Sequence, residues 1–294
     1  IVMDSVGSTL ALNRRNRLEK LRGLLQERNL VMGVLNVTPD SFSDGGQFLE
    51  SSDALEQALR MESEGADLLD IGGESSRPGA DPVSVEEELE RILPVIEAFR
   101  LRSDLPISVD TYKCEVARAC FDAGADVVND ITAGRHSREI GQFVSESRGG
   151  LIMMHMRGLP KTMQQDTEYA AIVEETRDFL RERVSWAVEQ GVSRTDIWID
   201  PGIGFGKSAD GNLEVLAKLA EYDTIGSPLV VGISRKSFIG KITGRSSEER
   251  LSGTLGLTGA IASDGVFRVH RVHDVGPTVD CLRMVEALNR NKQV

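Results

Sequence analysis

The sequence predicts an α/β fold, a parallel (β/α)8 TIM barrel in one domain with an N-terminal helical extension, and three observations carry that prediction. Eight short apolar, β-branched runs recur along the 294 residues. Helical periodicity fills the intervals between them, and polar residues gather where each run ends. An open doubly wound sheet is the competing architecture, but eight regular βα units favour closure of the sheet on itself.

In chain order the strand runs are Val31 to Val37, Asp67 to Gly72, Pro106 to Asp110, Asp126 to Ile131, Leu151 to His155, Ile197 to Asp200, Leu229 to Ser234 and Val266 to Val272. Segments with a 3.6-residue period lie at about 52–64, 84–101, 113–123, 137–147, 168–190, 212–221, 248–264 and 277–291. The phrases Glu64-Gly65-Ala66-Asp67 and Ala123-Gly124-Ala125-Asp126, and more loosely Glu189-Gln190-Gly191-Val192, put a glycine where a helix should end and turn towards the next strand. The chain therefore divides into an extension, residues 1–29, and the barrel, residues 30–294. A helical stretch at about 13–28 can cap the barrel's N-terminal end or stand as a loose arm. Residues 1–10 are set aside from this reading.

A formal net charge of −12 makes the surface repel polyanions, which excludes general nucleic-acid binding without a local basic face. No run approaches the roughly 20 apolar residues of a membrane span, and no basic segment with an apolar h-region opens the chain. The expectation is a soluble, cytoplasmic protein with no membrane partner. Three cysteines, Cys114, Cys120 and Cys281, lack CxxC spacing and read as packing residues in a reducing compartment.

The polar residues at the strand ends are Asn36, Asp70, Asp110, Asn129 with Asp130, His155, Asp200, Ser234 to Ser237, and Arg271 with His273. Any single Asp or Asn there is usually a turn or helix N-cap residue. Their convergence from eight strands onto the face where barrel enzymes build their sites favours a functional reading. Asp110 and Asp200, if buried, require donors that neutralise or hydrogen-bond them.

Several loops add to this face. Asn36 to Gly46 is longer than a minimal βα turn and carries hydroxyls, two acids and paired glycines, as a lid does. Glu74-Ser75-Ser76-Arg77-Pro78-Gly79 offers an arginine for bidentate capture of phosphate or carboxylate, against the plain alternative of a surface arginine. Asp200 to Ser208 misses the phosphate-loop template because Pro201 stands at its first glycine, and misses GxGxxG because Lys207 stands at its third. Its glycines instead let a flat ligand approach the backbone. Ser234-Arg235-Lys236-Ser237 brings two cations and two hydroxyls to the loop after strand seven, where barrels commonly bind phosphate, and Arg271 and His273 follow strand eight. With only His136, His155, His270 and His273 and no HExxH, a structural zinc is not expected.

Taken together, VLNVTPDSFSDGG, DIGGESSRPGA, ISVDTYK, VVNDI, DPGIGFGK, GISRKSFIG and RVHDV resemble dihydropteroate synthase, in that family's order and over about residues 30–290. The resemblance implies a TIM-barrel transferase of folate biosynthesis. Such an enzyme condenses 6-hydroxymethyl-7,8-dihydropterin diphosphate with p-aminobenzoate, by SN1-like loss of diphosphate. It implies a pterin site at Asp110, Asn129, Met154, Asp200, Phe205 and Lys236. A diphosphate site at Asn36, Arg77, Arg271 and His273 follows, with Mg2+ at Asn36. The p-aminobenzoate site is implied at Ser76, Arg77, Phe205, Lys236 and Ser237, with catalytic parts for Asp44, Arg77 and Lys236. It also implies a homodimer and competition by sulfonamides. Donor and acceptor types agree, since carboxylates accept from the pterin's amidine-like edge and Lys236 donates to its carbonyl or ring nitrogen. Ser76 departs from the pattern, in which many relatives have threonine.

Two alternatives follow from the same motifs. A pterin-binding methyltransferase barrel shares the pterin acids but needs neither the long Asn36 to Gly46 loop nor Ser234 to Ser237. A non-catalytic paralogue keeps binding without turnover.

Overall fold

Each strand is buried on both faces, so nearly every residue in it is apolar and the polar exceptions are informative. The computed structural model describes residues 2–38, 47–77, 79–158 and 160–292. Its strands are β1 (Leu30–Asn36), β2 (Leu68–Gly72), β3 (Ile107–Asp110), β4 (Val127–Asp130), β5 (Gly150–Met154), β6 (Ile197–Asp200), β7 (Val230–Val231) and β8 (Val269–Val272). They pair in parallel in the order β6-β5-β4-β3-β2-β1-β8-β7. A bridge from Ile199 to Leu229 joins the two ends of that order, and the Ile199 N–H donates to the Pro228 carbonyl at 2.9 Å. The sheet is therefore a closed barrel.

The helices are α1 (Val2–Leu25), α2 (Gln47–Ser63), α3 (Val85–Arg100), α4 (Cys114–Asp122), α5 (Glu139–Glu146), α6 (Ile172–Glu189), α7 (Ala209–Ala217), α8 (Ala220–Asp223), α9 (Ser237–Thr243), α10 (Leu251–Ala262) and α11 (Val275–Lys292). The segment expected as one helix at 212–221 is two, α7 and α8, with Ser208 capping the first through its side chain. Two strands are shorter than their apolar runs. After Val231 comes Gly232, a poor strand residue, and the loop beyond it turns sharply at Arg235, whose φ is 56°. Before Val269, the Val266 N–H is taken by the Asp264 side chain at 2.9 Å and the Arg268 N–H by Asn29 Oδ1 at 3.0 Å, so neither is free for a ladder.

The repeated Gly-Ala-Asp phrases share one role. Gly65 and Gly124 take φ of 102° and 107°, and each following aspartate holds the start of a neighbouring strand. Asp67 accepts from the Val31 N–H and Asp126 from the Ile107 N–H, both at 2.9 Å, while their own N–H groups donate back to the same residues' carbonyls at 2.8 Å.

Of the two roles open to the N-terminal helix, α1 takes the cap. Leu18 and Leu21 pack under the barrel against Leu30, Met32, Leu68, Val127, Ile152, Trp198, Val230 and Val269. Arg14 fixes the helix by donating to the carbonyls of Ala125, Phe121 and Ser147 at 2.8–2.9 Å. The outward strand residues, among them Val31, Leu35, Leu69, Ile71, Val109 and Ile199, pack against the helical ring. Among the described residues, no helix is long and apolar enough to cross a membrane.

Candidate active site

Side chains on a strand alternate between the two faces. Leu68, Val127, Ile152, Trp198 and Val269 face the barrel axis at its closed end. Two residues further along the same strands, Asp70, Asn129, Met154, Asp200 and Arg271 therefore face the same axis near the open end, joined by Asp110 from β3. Register sets Asp110 beside Asn129 and Met154 beside Asp200. Arg271 donates from Nε to Asp70 Oδ2 at 2.6 Å and from Nη2 to Asp110 Oδ2 at 2.7 Å, and Asn129 Nδ2 donates to Asp70 Oδ2 at 3.0 Å. Asp70 is fully buried.

Burial works against the charges of Asp110, Asp200, Lys236 and Arg271. It raises the Asp110 carboxyl above its ordinary range, with Asp70 and Glu88 adding to the rise and Arg271 opposing it. Burial also raises the Asp200 carboxyl, against the Gly202 N–H that donates to Oδ1 at 2.6 Å and the cations Lys236 and Arg271. The Arg271 guanidinium is desolvated too, yet Asp70 and Asp110 hold it above its usual value. Lys236 is pushed down to about 8 by burial and by Arg271, with Asp200 and Asp110 pulling the other way.

Asp200 opens the loop that carries Phe205. Gly202 has a φ of 69°, and a Cβ there would stand 1.9 Å from the His155 carbonyl, so only glycine fits. Lys207, almost fully buried, donates to the carbonyls of Gly202 at 2.9 Å and Phe205 at 3.1 Å and meets His155 Nδ1 at 3.0 Å. Its ammonium is thus engaged by the loop itself and is no phosphate cradle. The loop delivers Phe205 beneath Lys236, whose Nζ lies 4.1 Å from the ring centroid. Gly232 adds no side chain where a Cβ would be 3.9 Å from Asp200 Oδ2, which leaves that oxygen facing open space.

The result is a cleft of about 310 Å³ at the C-terminal end of the barrel. Of the residues singled out from sequence, Ser76, Asp110, Asn129, Met154, Asp200, Phe205, Lys236 and Arg271 line it together. Arg271 thus lies inside, ion-paired with the acids, rather than at the rim. Asn36, Arg77, Ser237 and His273 are not in the lining. Asn36 ends β1 half-buried, while Arg77 and Ser237 are exposed on the loop after β2 and at the start of α9. His273 stands at the rim with Nδ1 3.0 Å from Ser234 Oγ. Asp44 lies outside the described residues.

Three strand-end residues face away. Asp130 accepts from the Thr132 and Gly134 N–H groups at 2.7 Å and 2.6 Å, so its role is that of a turn cap. His155 packs edge-on against Phe179 of α6 with centroids 5.0 Å apart. Burial and Lys207 hold its imidazole far below the ordinary range. Arg235 turns outward into a bidentate pair with Asp274 at 2.8 Å and 2.5 Å, so the two cations of Ser234 to Ser237 do not converge. Ile131 and Ile203, given no role from sequence, complete the apolar wall. Among the described residues, no group of three or more His, Cys, Asp or Glu side chains is arranged to hold a metal ion.

A closed parallel barrel whose mouth gathers these acids, amide and cations is the architecture of a pterin-binding transferase. The chain belongs to the pterin binding enzyme family, which it matches over residues 32–273. Within that family it is a member of the dihydropteroate synthases. It is 46% identical over 265 residues to dihydropteroate synthase of Synechocystis sp., covering 90% of this chain and 91% of that one. The structure of Yersinia pestis dihydropteroate synthase with a sulfonamide drug complex superposes with a TM-score of 0.84 at 40% identity, covering 90% of this chain and 95% of that one. Xanthomonas albilineans dihydropteroate synthase with 4-aminobenzoic acid gives 0.83 at 44% identity, covering 89% and 93%. The activity is the transfer of a dihydropterinylmethyl group from its diphosphate to p-aminobenzoate, which gives 7,8-dihydropteroate and diphosphate.

Proposed function

We propose that the inner cleft takes the pterin ring and the rim takes the diphosphate and the arylamine. The observation that carries this division is the inventory of the cleft. Asp110 and Asp200 offer acceptors for the amino and ring N–H groups of a pterin, and Asn129 both donates and accepts. Lys236 donates to the ring carbonyl or nitrogen, and Met154 and Phe205 line the ring's faces. Arg271, ion-paired with Asp70 and Asp110, lines the same cleft and adds a cation to it.

At the rim, Asn36, Arg77 and His273, with Arg271 beneath them, hold the diphosphate. Ser76, Arg77, Phe205, Lys236 and Ser237 hold p-aminobenzoate. The Asn36 side-chain oxygen fits Mg2+ as one hard ligand of an ion that takes its others from phosphate and water. Bound there, Mg2+ supplies charge neutralisation for the departing diphosphate. Asp110 and Asp200 line the cleft and present carboxylate oxygens, negative when ionised, to the reacting methylene, while Asp70 is buried behind Arg271. That charge favours a cationic pterin methylene, in keeping with SN1-like departure followed by attack of the neutral arylamine. Asp44, on the loop after β1, adds to the stabilisation of that cation, and Arg77 and Lys236 complete the catalytic set.

We take residues 30–294 as the pterin-binding barrel and residues 1–29 as the extension that seals its floor. A cytoplasmic location accords with the free cysteines Cys114, Cys120 and Cys281. A homodimer accords with the exposure of Met284 and Leu288 on α11.

The deciding experiment measures diphosphate release from 6-hydroxymethyl-7,8-dihydropterin diphosphate with Mg2+, with and without p-aminobenzoate, and identifies the pterin product by mass. Coupled release and dihydropteroate formation, inhibited competitively by a sulfonamide, are expected. Binding without release would make the chain a non-catalytic paralogue.

A further inference from the structure

Beside the cleft, a second hollow of about 220 Å³ opens to Asp110 and carries a buried charged cluster that none of the assignments above uses. Glu74 follows β2 and begins the loop that bears Ser76 and Arg77. Its Oε1 accepts from the Tyr112 hydroxyl at 2.6 Å, and its Oε2 accepts from Lys113 Nζ at 2.6 Å and from the Val83 N–H at 3.1 Å. Lys113 also donates to Glu88 Oε2 of α3 at 2.6 Å, and Glu88 is 1% exposed. Arg91 of α3 donates to the Gly73 carbonyl at 2.6 Å.

These bonds hold both feet of one loop. Glu74 begins it and ties its start to its end by accepting from the Val83 N–H, just before Ser84 caps α3, while Tyr112 and Lys113 anchor Glu74 to the loop that leaves Asp110. The tip is held differently. Arg77 and Gly79 are exposed, the Gly79 N–H reaches the Pro160 carbonyl at a long 3.3 Å, and the Lys161–Asp81 pair is largely in solvent. A buried, multiply bonded base under an exposed tip means that the direction of the tip is set at the base.

We propose that Glu74 is a positioning residue: its carboxylate, gripped by Tyr112, Lys113 and Val83, fixes the base of the β2 loop and so sets how Arg77 reaches over the cleft. This rests on the reading that Arg77 meets the anionic groups of the substrates. Three donors converge on Glu74, and a carboxylate accepts them all with its two oxygens. The amide of glutamine keeps one neutral acceptor oxygen for Lys113 and Val83, and its NH2 forces the Tyr112 hydroxyl to accept instead of donate. The ion pair with Lys113 would also be lost, leaving Lys113 to Glu88 alone.

The test is a double-mutant comparison of Glu74→Gln, Arg77→Ala and the two combined, at a temperature where all remain folded. The readouts are kcat, both KM values, and the Kd of 6-hydroxymethylpterin, which lacks the diphosphate. Glu74→Gln is expected to raise the KM for p-aminobenzoate and for the pterin diphosphate about tenfold while the Kd of the plain pterin stays put. The combined variant is expected to be no worse than Arg77→Ala. Additive losses, or an equal loss of plain pterin affinity, overturn the proposal, because Glu74 then acts through the fold or the cleft floor. An impaired Arg77→Ala beside an unimpaired Glu74→Gln overturns the positioning role alone. An unimpaired Arg77→Ala removes the reading of Arg77 and the positioning role with it. If Glu74→Gln does not fold, Tyr112→Phe deletes one of the three donors and decides instead: a smaller rise in the same two KM values supports the proposal, and unchanged values overturn it.

Discussion

The closed end and the open end of this barrel are built by the same strands, two residues apart. Leu68 precedes Asp70, Val127 precedes Asn129, Trp198 precedes Asp200 and Val269 precedes Arg271, all facing the axis. The lower set is apolar and sealed by Leu18 and Leu21 of α1, so its burial is nearly pure gain. The upper set buries charge that only its partners make tolerable, and Asp70 Oδ1 has no hydrogen-bond partner. Stability and chemistry therefore occupy successive steps of one pleat, and substitutions at the two ends should separate them.

The sharpest break between the ends comes from Lys236→Ala, expected to lower kcat/KM by about a hundredfold or more with little change in Tm, because an electrostatic donor is lost from the cleft. Asp200→Asn belongs with it but should mainly weaken pterin binding, since one acceptor replaces two. Near-normal turnover in both variants would show that the pocket is misplaced. Leu21→Ala is the opposite case. It should cost about 3 kcal/mol of stability by urea unfolding and leave kcat/KM per folded molecule unchanged. A matching loss of activity would mean that the floor and the mouth are coupled.

The pH profile sharpens the comparison further. Lys236 must keep its proton to donate, and its value is pushed down to about 8, so activity should fall as pH rises through about 8. Lys236→Arg, which keeps its charge, should move that limb upward; a limb that stays in place belongs to another group. The smallest effect is expected from Ser76→Thr, which adds a methyl where the cleft and the neighbouring hollow meet and should change kcat/KM by less than about threefold.

The barrel was legible because each strand is a short β-branched run with a helix after it, and that local signal survives without knowledge of the fold. It failed at β7, where Leu229 to Ser234 reads as one strand until Gly232 and the turn at Arg235 cut it short. The site was legible in part because its residues sit at strand ends. Position at an end does not say which face a side chain takes, and so Asp130 and His155 stood beside Asn129 and Met154 although they point outward. Counting by twos from Val127 and Ile152 would have separated them. The Glu74, Lys113 and Glu88 cluster had no such signal, because Lys113 is 39 residues from Glu74 and 25 from Glu88 and only the fold brings them together.

The burial of Lys236 beside Arg271 favours its neutral, nucleophilic amine over the ammonium. With its value pushed down to about 8, more of this amine is unprotonated near neutral pH than of a lysine at the ordinary value near 10.4. Lys207 is shifted as well, but it is almost fully buried and its nitrogen is engaged by the loop. A brief exposure to an acylating reagent should therefore mark Lys236 ahead of the surface amines, and any molecule resting on Phe205 should shield it. Protection of Lys236 from acylation, read by mass, is therefore the expected sign of an occupied cleft, and equal labelling with and without pterin would show that the amine does not face the ligand.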